Sequence, residues 1–275
     1  MGTVQYDFGD RVAIVTGAAR GVGRAIVNAF VDAGARVAAA DRDTEGLAET
    51  CRPHDDRVLP ITADISDPDG AKSIVDGAVD HFGDLHICVN NAAVAPHASL
   101  FAERVEVWDT VYAVNCRGTF LMTQAAGKYL AERGNGGRIV NFSSGVSNRG
   151  SAGAAAYASS RAATESFSRV AAIELAPYNV LLNTVSPGLI DTQPKPLPPS
   201  MKQALETRVP MLPLARPGEP SEVANLVLWL SSDASGYVTG GLYPVDGGAG
   251  VGSRPSGDIV DEDIRYDWVT GRTRD

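Results

Sequence analysis

Short apolar runs alternate with longer stretches in which apolar residues recur at helical spacing, and this pattern covers most of the chain. The short runs predict strands at 11–16, 36–41, 58–63, 86–90, 138–143, 179–185 and 242–245. The longer patterns predict helices at 21–33, 69–82, 103–131, 157–176 and 221–231. Strands that alternate with helices are typical of an α/β protein, so we predict a doubly wound parallel sheet of about seven strands with helices on both faces.

Two prolines indicate which strands lie at the edges of that sheet. Pro60 falls inside the third predicted strand and Pro244 inside the last. Proline has no N–H group to donate to a neighbouring strand, so strands that contain it are expected at sheet edges. The strand order 3-2-1-4-5-6-7 places both prolines at edges, and we therefore predict that order.

Two segments depart from the alternation. Residues 187–220 are rich in proline and predict a long loop, of the kind that often serves as a lid or a binding loop. The tail after Asp246 begins with a glycine-rich link and ends with two aromatics that favour packing, Tyr266 and Trp268. No internal repeat or second domain is evident, so we expect one domain over 1–275, with a core at about 10–248 and a C-terminal extension at 249–275.

Composition narrows the function more than the fold. The chain has 275 residues, a formal net charge of −9 and no cluster of lysines and arginines, which argues against nucleic acid as a partner. No apolar run approaches the roughly 20 residues that cross a bilayer, and the N-terminus lacks the pattern of a signal peptide, so no membrane partner is expected. The three cysteines are far apart and the four histidines lack ligand spacing, which predicts a cytoplasmic protein without a metal site. A small-molecule ligand remains as the expected partner.

A glycine-rich segment marks the candidate cofactor site. Residues 16–23 read TGAARGVG, follow a predicted strand and open a predicted helix. The glycines let the backbone turn sharply and approach a ligand closely, and the helix N-terminus offers free N–H groups to a pyrophosphate. Strand, turn and helix together indicate a dinucleotide site that includes Gly17, Arg20, Gly21, Val22 and Gly23.

An acidic residue at the end of the second predicted strand bears on the choice of cofactor. Asp41 lies 18 residues beyond Gly23, and its carboxylate can accept hydrogen bonds from an adenosine ribose. The same charge would repel the additional phosphate of NADP, so NAD is the expected cofactor. Arg20 and Arg42 favour NADP instead, because either could bind a 2′-phosphate; both could equally be solvated surface residues.

These residues and others downstream resemble the motifs of the short-chain dehydrogenase/reductase family, in the family's order, over about residues 10–248. TGAARGVG is similar to the family's TGxxxGxG, NNAA at 90–93 to its NNAG, and YASSR at 157–161 to its YxxxK. The resemblance implies a Rossmann-type fold that binds a nicotinamide cofactor. It also implies further cofactor contacts from Asp64, Ile65, Asn90, Tyr157, Arg161, Pro187, Gly188, Ile190 and Thr192.

The resemblance places the catalytic residues at Tyr157, Ser144, Arg161 and Asn115. Hydride transfer at a carbinol carbon requires a proton to move at the oxygen, and a tyrosine serves if a nearby positive charge lowers its pKa from about 10. Tyr157 and Arg161 are at i and i+4, so they share a helix face. Ser144, 13 residues before Tyr157, would donate to the substrate oxygen. Asn115 would hold a water or a backbone kink in the proton path.

Position 161 departs from the family, whose motif has lysine there. Arginine keeps the positive charge but effectively never loses its proton, so the electrostatic role should persist and a relay through a neutral side chain should not. Three functions remain open. The first is NAD-dependent hydride transfer between nicotinamide and a polar secondary alcohol or ketone, with Tyr157 as general acid and base. The others are a cofactor-binding protein with weak or no redox activity, and a non-redox enzyme such as a dehydratase or an epimerase.

The resemblance also implies a substrate pocket beyond the nicotinamide. Polar residues occupy the segments that would line it, and we expect substrate contacts from Ser144, His97, Arg149 and Lys195. The three basic side chains could together bind a carboxylate, sulfonate or phosphate, which favours a sugar, a polyol or a similar alcohol, anionic or neutral; they could equally face water at the rim. A homo-oligomer, dimer or tetramer, is implied as well, with the helices near 103–131 and 157–176 at the dimer face.

Overall fold

A computed structural model describes residues 4–9, 11–192, 199–253, 266–267 and 272–273. Parallel strands form a seven-stranded sheet in the order β3-β2-β1-β4-β5-β6-β7, which confirms the predicted order. Each strand begins and ends within two residues of its predicted bounds. The strands are β1 (Val12–Thr16), β2 (Arg36–Asp41), β3 (Val58–Thr62), β4 (Ile87–Asn90), β5 (Gly137–Phe142), β6 (Val180–Pro187) and β7 (Leu242–Val245).

The two strand prolines lie at the sheet edges, as predicted. Pro60 of β3 pairs in register with Ala39, and Pro244 of β7 pairs with Ser186. Because an edge strand has a neighbour on one side only, a missing N–H donor there disrupts less of the ladder than it would inside the sheet.

Helices cover both faces of the sheet. Successive residues of β1 point to opposite sides: Ala13 and Val15 belong to the apolar layer beneath α1 and α8, whereas Val12 and Ile14 belong to the layer beneath α3, α5 and α6. This burial on both sides explains why the strands are continuous apolar runs rather than alternating ones. The described helices are α1 (Gly21–Asp32), α2 (Thr44–Cys51), α3 (Pro68–Phe82), α4 (Val105–Tyr112), α5 (Thr119–Arg133), α6 (Ala155–Leu175), α7 (Pro199–Arg208) and α8 (Pro220–Ser231).

Three elements differ from the prediction. The helix expected over 103–131 is divided into α4 and α5 by a π-helical turn at Ala113–Gly118. The loop expected over 187–220 contains α7, whose sequence PSMKQALETR has too few apolar residues to show a helical period. The two-turn helix α2 was not predicted either; it begins where the Asp43 side chain accepts a hydrogen bond from Gly46 N.

The tail is described only in part. Tyr266–Asp267 pairs with Arg272–Thr273 as two short antiparallel strands, β8 and β9. Trp268, the second aromatic expected to pack, lies outside the described residues. Over the described parts of the chain, the structure has no helix with the length and apolar character that crossing a membrane requires.

Candidate active site

A cleft of about 460 Å³ opens at the carboxyl ends of the first four strands. It lies where the strand order reverses between β1 and β4, the position at which open α/β sheets bind ligands. Ten of the predicted cofactor residues line it: Gly17, Arg20, Gly21, Val22, Gly23, Asp41, Arg42, Asp64, Ile65 and Thr192. Seven residues that were not among the predicted cofactor contacts line it too: Ala40, Ala63, Asn91, Ala92, Ala93, Val94 and Val114.

The glycine-rich turn is packed too tightly for side chains. A Cβ on Gly23 would lie 1.9 Å from the carbonyl oxygen of Gly17, and a Cβ on Gly17 would lie 2.7 Å from Ala92 Cα. Gly17 also has a φ of +68°, which residues with a side chain rarely adopt. The backbone itself therefore forms this wall of the cleft.

The N-terminus of α1 opens into the same cleft. Arg20 is its N-cap residue, but no side chain caps the helix by a hydrogen bond and no acidic residue occupies the first turn. The first N–H groups of a helix have no partner inside the helix, and they attract anions. The end of α1 can therefore bind a pyrophosphate, as the family resemblance implies.

Asn91, part of the NNAA motif but not among the predicted cofactor contacts, holds the turn in place. Its Nδ2 donates to the carbonyl oxygens of Thr16 at 2.9 Å and Gly17 at 3.0 Å. The Thr16 hydroxyl in turn accepts a hydrogen bond from Ala92 N at 3.2 Å. These contacts join the glycine-rich turn after β1 to the segment after β4.

Asn90, which was predicted to contact the cofactor, is buried beneath the cleft. Its side chain is 1% exposed and donates to Asn141 Oδ1 at 2.8 Å and to Thr123 Oγ1 at 3.1 Å. Asn141 continues the network by donating to Ser168 Oγ at 2.9 Å. A buried polar network with every donor paired joins β4, β5, α5 and α6 in one arrangement.

Two carboxylates occupy the far wall. Asp41 Oδ2 accepts from Ala19 N and Oδ1 accepts from Asp43 N, each at 3.0 Å, so backbone donors fix the carboxylate at the end of β2. The pKa of Asp64 lies below its usual value because the side chain and the backbone of Ser66 donate to it, with a smaller contribution from the positive charge of Arg42. The lowered pKa of Asp64 favours its anionic form beside the cleft.

The helix α6 brings Tyr157 and Arg161 to the loop that follows β5. Arg161 is 2% exposed, and its Nη1 donates to the Phe142 carbonyl oxygen at 2.9 Å. Its guanidinium carbon lies 5.3 Å from the centroid of the Tyr157 ring, within reach of a cation–π contact. Arg161 Nε is buried without a hydrogen-bond partner among the described residues.

The surroundings of Tyr157 act on its acidity in opposite directions. Burial raises the pKa of the hydroxyl, whereas the positive charge of Arg161 and hydrogen bonds with Ser144 and Arg161 lower it. The lowering effects dominate, so the pKa of Tyr157 lies below its ordinary value. A group with this environment can give up and take back a proton more readily than an exposed tyrosine.

Asn115 lies inside the π-helical turn and is completely buried. Its side chain accepts from Val94 N and donates to Val94 O, both at 2.9 Å. Its carbonyl oxygen accepts from Thr119 Oγ1 at 2.8 Å and from Thr164 Oγ1 at 3.2 Å. The π-helical turn places Asn115 against the cleft-lining residue Val94.

Four predicted cofactor contacts lie at the end of β6 and in the segment that follows it: Pro187, Gly188, Ile190 and Thr192. A Cβ on Gly188 would lie 2.7 Å from Asp246 Cα, so the close approach of these two segments requires glycine. Pro187 ends β6, and Ile190 forms a backbone bridge with Gly218. Of this predicted group, Thr192 lines the cleft.

The predicted substrate contacts are brought together only in part. Arg149 is exposed and its Nη1 donates to Ala249 O at 2.8 Å, while its Nη2 lies 3.8 Å from where a Cβ of Gly145 would be. Arg149 is therefore adjacent to the residue that follows Ser144. His97 is exposed on the segment after β4, and Lys195 lies outside the described residues.

Comparisons with known proteins agree with this geometry. The family model described as Enoyl-(Acyl carrier protein) reductase matches residues 17–250. A 3-oxoacyl-acyl-carrier-protein reductase of Thermotoga maritima is 38% identical over 242 residues, which cover 86% of this chain and 97% of the relative. A (3R)-3-hydroxyacyl-CoA dehydrogenase of Rattus norvegicus is 36% identical over 249 residues, which cover 86% of this chain and 95% of the relative.

Solved structures show the same architecture. A short-chain type dehydrogenase/reductase from Mycobacterium marinum superposes with a TM-score of 0.82 at 31% identity, covering 88% of this chain and 96% of that one. Levodione reductase superposes with a TM-score of 0.82 at 28% identity, covering 90% of this chain and 99% of that one. The chain therefore belongs to the short-chain dehydrogenase/reductase family. It has the family's Rossmann-type fold, and it is an oxidoreductase of hydroxyl or keto groups with a nicotinamide cofactor.

Proposed function

We propose that this chain transfers a hydride between NAD and a polar secondary alcohol or ketone, with Tyr157 as the general acid and base. One observation carries the proposal: the guanidinium carbon of the buried Arg161 lies 5.3 Å from the centroid of the Tyr157 ring, and the pKa of the Tyr157 hydroxyl lies below its ordinary value. A tyrosine in this setting suits proton transfer at a carbonyl or carbinol oxygen.

The cleft fits a dinucleotide. The turn at Gly17 and Gly23 leaves no room for side chains, the end of α1 is uncapped, and Asp41 lies at the end of β2. When bound, the nicotinamide cofactor supplies the hydride acceptor or donor. The end of α1 would hold its pyrophosphate, and Asp41 would accept from its adenosine ribose while disfavouring a 2′-phosphate.

Ser144, Tyr157 and Arg161 would have separate roles in the proton transfer. Ser144 would donate a hydrogen bond to the substrate oxygen and stabilise the charge that develops on it. Tyr157 would give the proton to that oxygen in reduction and remove it in oxidation. Arg161 would remain a cation throughout, so it would stabilise the phenolate without exchanging its own proton.

The substrate is proposed to carry an anionic or strongly polar group. Arg149 donates from Nη1 to Ala249, and the rest of its guanidinium lies beside Gly145 at the opening of the site. A carboxylate, sulfonate or phosphate could bind there, with His97 and Lys195 as further candidates. Two relatives are named for acyl thioesters, so such thioesters join sugars and polyols in the substrate panel.

Titration with NADH and NADPH, followed by reduced-nicotinamide fluorescence, tests the cofactor without a known substrate. Tighter binding of NADH is the expected result, and binding of neither would contradict the proposal. Oxidation of NADH with a panel of ketones and 3-oxoacyl thioesters then tests the reaction. A large gain in turnover in Arg161→Lys would instead favour a protein whose redox activity is weak because of its arginine.

We also propose a homo-oligomer, with α4, α5 and α6 at a dimer face. Phe120 is 41% exposed and Ile173 is 75% exposed on this side of the molecule. An apolar cavity of about 520 Å³ is lined there by Tyr112, Phe120 and Phe167. Burial of such a surface by a second copy stabilises association. Sedimentation analysis is expected to show a dimer or tetramer, and Ile173→Glu is expected to shift it toward monomer.

A cytoplasmic location is proposed from the cysteines. Cys51, Cys88 and Cys116 are free thiols. Cys88 is fully buried, and burial raises its pKa to about 12, so it stays a protonated, unreactive thiol. Free thiols are typical of proteins that function in a reducing compartment. Localisation of a tagged full-length chain by microscopy or fractionation checks this proposal.

A further inference from the structure

One stripe of α6 presents three side chains to the loop that carries Ser144. Tyr157, Arg161 and Glu165 follow one another at intervals of four residues, so they lie in a row on the helix surface. Tyr157 shares a hydrogen bond with Ser144, and Arg161 donates to the carbonyl oxygen of Phe142. Glu165 is the one member of this row that the proposed reaction does not use.

Glu165 accepts two hydrogen bonds from the same loop. The hydroxyls of Ser143 and Ser147 each lie 2.5 Å from Glu165 Oε1. Ser143 directly precedes Ser144, and Ser147 follows it by three residues. Hydrogen bonds to a carboxylate are about twice as strong as those between neutral groups. Glu165 therefore holds the backbone on both sides of Ser144.

Backbone hydrogen bonds also restrain this loop. Ser143 N donates to Val185 O of β6 at 2.8 Å, and Gly145 N donates to Pro187 O at 3.3 Å. Ser144 itself is half-buried in a turn in which Ser147 N donates to Ser144 O at 3.0 Å. These bonds fix the main chain, whereas the two hydrogen bonds to Glu165 join the loop to α6 through side chains.

We propose that Glu165 is a positioning residue that holds the Ser144 loop against α6, so that the Ser144 hydroxyl meets the hydroxyl of Tyr157. Glu165 acts through Ser143 and Ser147 and not on the reacting atoms themselves. The inference rests on the proposed function in assigning catalysis to Ser144 and Tyr157. The contact between those two residues can nevertheless be measured without turnover.

The test is the pKa of Tyr157, measured by NMR of the full-length protein labelled with ¹³C at tyrosine Cζ. Tyr157→Phe assigns the signal, and Ser144→Ala gives the rise that follows when the Ser144 hydrogen bond is lost. Glu165→Ala is expected to raise the pKa in the same direction. Loss of the Glu165 charge alone would lower the pKa, because removal of a nearby anion favours the phenolate. A rise therefore reports the loss of position and not the loss of charge.

Two variants serve as controls. Glu165→Gln keeps an oxygen that accepts from both hydroxyls, and it is expected to return the pKa of Tyr157 close to that of the unaltered protein. Glu174→Ala removes a carboxylate from an exposed position on the same helix and is expected to change nothing. An unchanged or lowered pKa in Glu165→Ala, or an equal rise in Glu174→Ala, would overturn the proposal. If Glu165→Ala does not fold, the double variant Ser143→Ala/Ser147→Ala replaces it.

Turnover gives a second measurement. With NADH and acetoacetyl-CoA as a probe ketone, Glu165→Ala is expected to lower kcat about 10-fold to 100-fold, the usual effect of misplacing a reacting group. The Kd for NADH should stay unchanged, because Glu165 does not line the cofactor cleft. If the unaltered protein reduces no ketone of the panel, the proposed function fails, while the Tyr157 titration still decides the role of Glu165.

Discussion

Arg161 holds its positive charge against the ring of Tyr157, with 5.3 Å between the guanidinium carbon and the ring centroid. No carboxylate pairs with this buried arginine among the described ion pairs. Its Nη1 instead donates to the Phe142 carbonyl oxygen. The charge is therefore available to favour the phenolate form of Tyr157, and the choice of arginine over lysine makes that charge permanent.

Arg161→Met is expected to raise the pKa of Tyr157 and to lower kcat by at least about 100-fold, the scale of general acid–base catalysis. Arg161→Lys keeps a positive charge and should retain more activity than the methionine variant. Tyrosine NMR and NADH oxidation measure the two effects. Equal activity in the methionine variant and the unaltered protein would show that the charge plays no part in the reaction.

Asp41→Asn is expected to reverse the cofactor preference. The asparagine keeps one acceptor oxygen, enough for only one of the two donors, Ala19 N and Asp43 N, and it removes the charge that repels a 2′-phosphate. Arg20 and Arg42, both exposed beside the cleft, can then bind that phosphate. Fluorescence titration should show the Kd for NADH rising about 10-fold, the loss of one charge-assisted hydrogen bond, and the Kd for NADPH falling. An unchanged ratio of the two constants would assign the preference to other residues.

Gly23→Ala is expected to abolish tight NADH binding and to destabilise the protein by about 1–3 kcal/mol, as overpacking does. The new Cβ would lie 1.9 Å from Gly17 O, so the turn after β1 must move. Gly150→Ala is the matched control, since a Cβ there meets no atom within 4 Å. Thermal denaturation and NADH titration of both variants check the prediction. Normal NADH binding by Gly23→Ala would show that the turn does not form the cofactor site.

His86 is expected to make stability depend on pH in a defined window. Its Nδ1 accepts a hydrogen bond from Val12 N at 3.0 Å, and its pKa is lowered by burial and by the charge of Arg133. As pH falls below about 6.5, the unfolded chain takes up a proton that the folded chain resists, so the free energy of unfolding decreases. For one group this slope is at most about 1.4 kcal/mol per pH unit.

His86→Asn isolates that contribution, because asparagine keeps an acceptor near the Nδ1 position but does not titrate. Urea denaturation between pH 7.5 and 5 should give a flatter pH dependence for the variant than for the unaltered protein. The lowered carboxyl pKa values, such as that of Glu222 at about 2, act only at more acidic pH and affect both proteins alike. Parallel curves over this range would exclude His86 as the source.

The strands and the glycine-rich turn could be predicted because strong local constraints determine them. Apolar runs buried on both faces mark the strands, and Pro60 and Pro244 can be accommodated only at edges. Glycine at position 23 is required by the nearby carbonyl oxygen of Gly17, and Gly17 itself has a φ of +68° that favours glycine. Such constraints determine which residue types occur at these positions, so they can be recognised in the sequence.

Other features of the site and the fold depend on contacts between residues that are distant in sequence. Asn90 and Asn91 are identical neighbours, but Asn90 ends β4 and donates into the buried network, whereas Asn91 follows the strand and donates to the turn. A glutamate on an amphipathic helix is expected to face solvent. The partners of Glu165 are serines of a loop far from it in sequence, so the sequence could not indicate these contacts. Helix α7 lacks an apolar stripe, so the spacing of hydrophobic residues could not predict it.

The π-helical turn at Ala113–Gly118 is equivalent to one residue inserted into an otherwise continuous helix. Each residue of an α-helix advances by about 100°, so the turn rotates everything that follows it by that angle. Deleting one residue there would leave a regular helix, but Asn115 could not keep its contact with Val94 while Met122 and Leu130 stayed in the core. The turn thus sets the rotation of the core residues of α5 relative to Asn115 at the cleft.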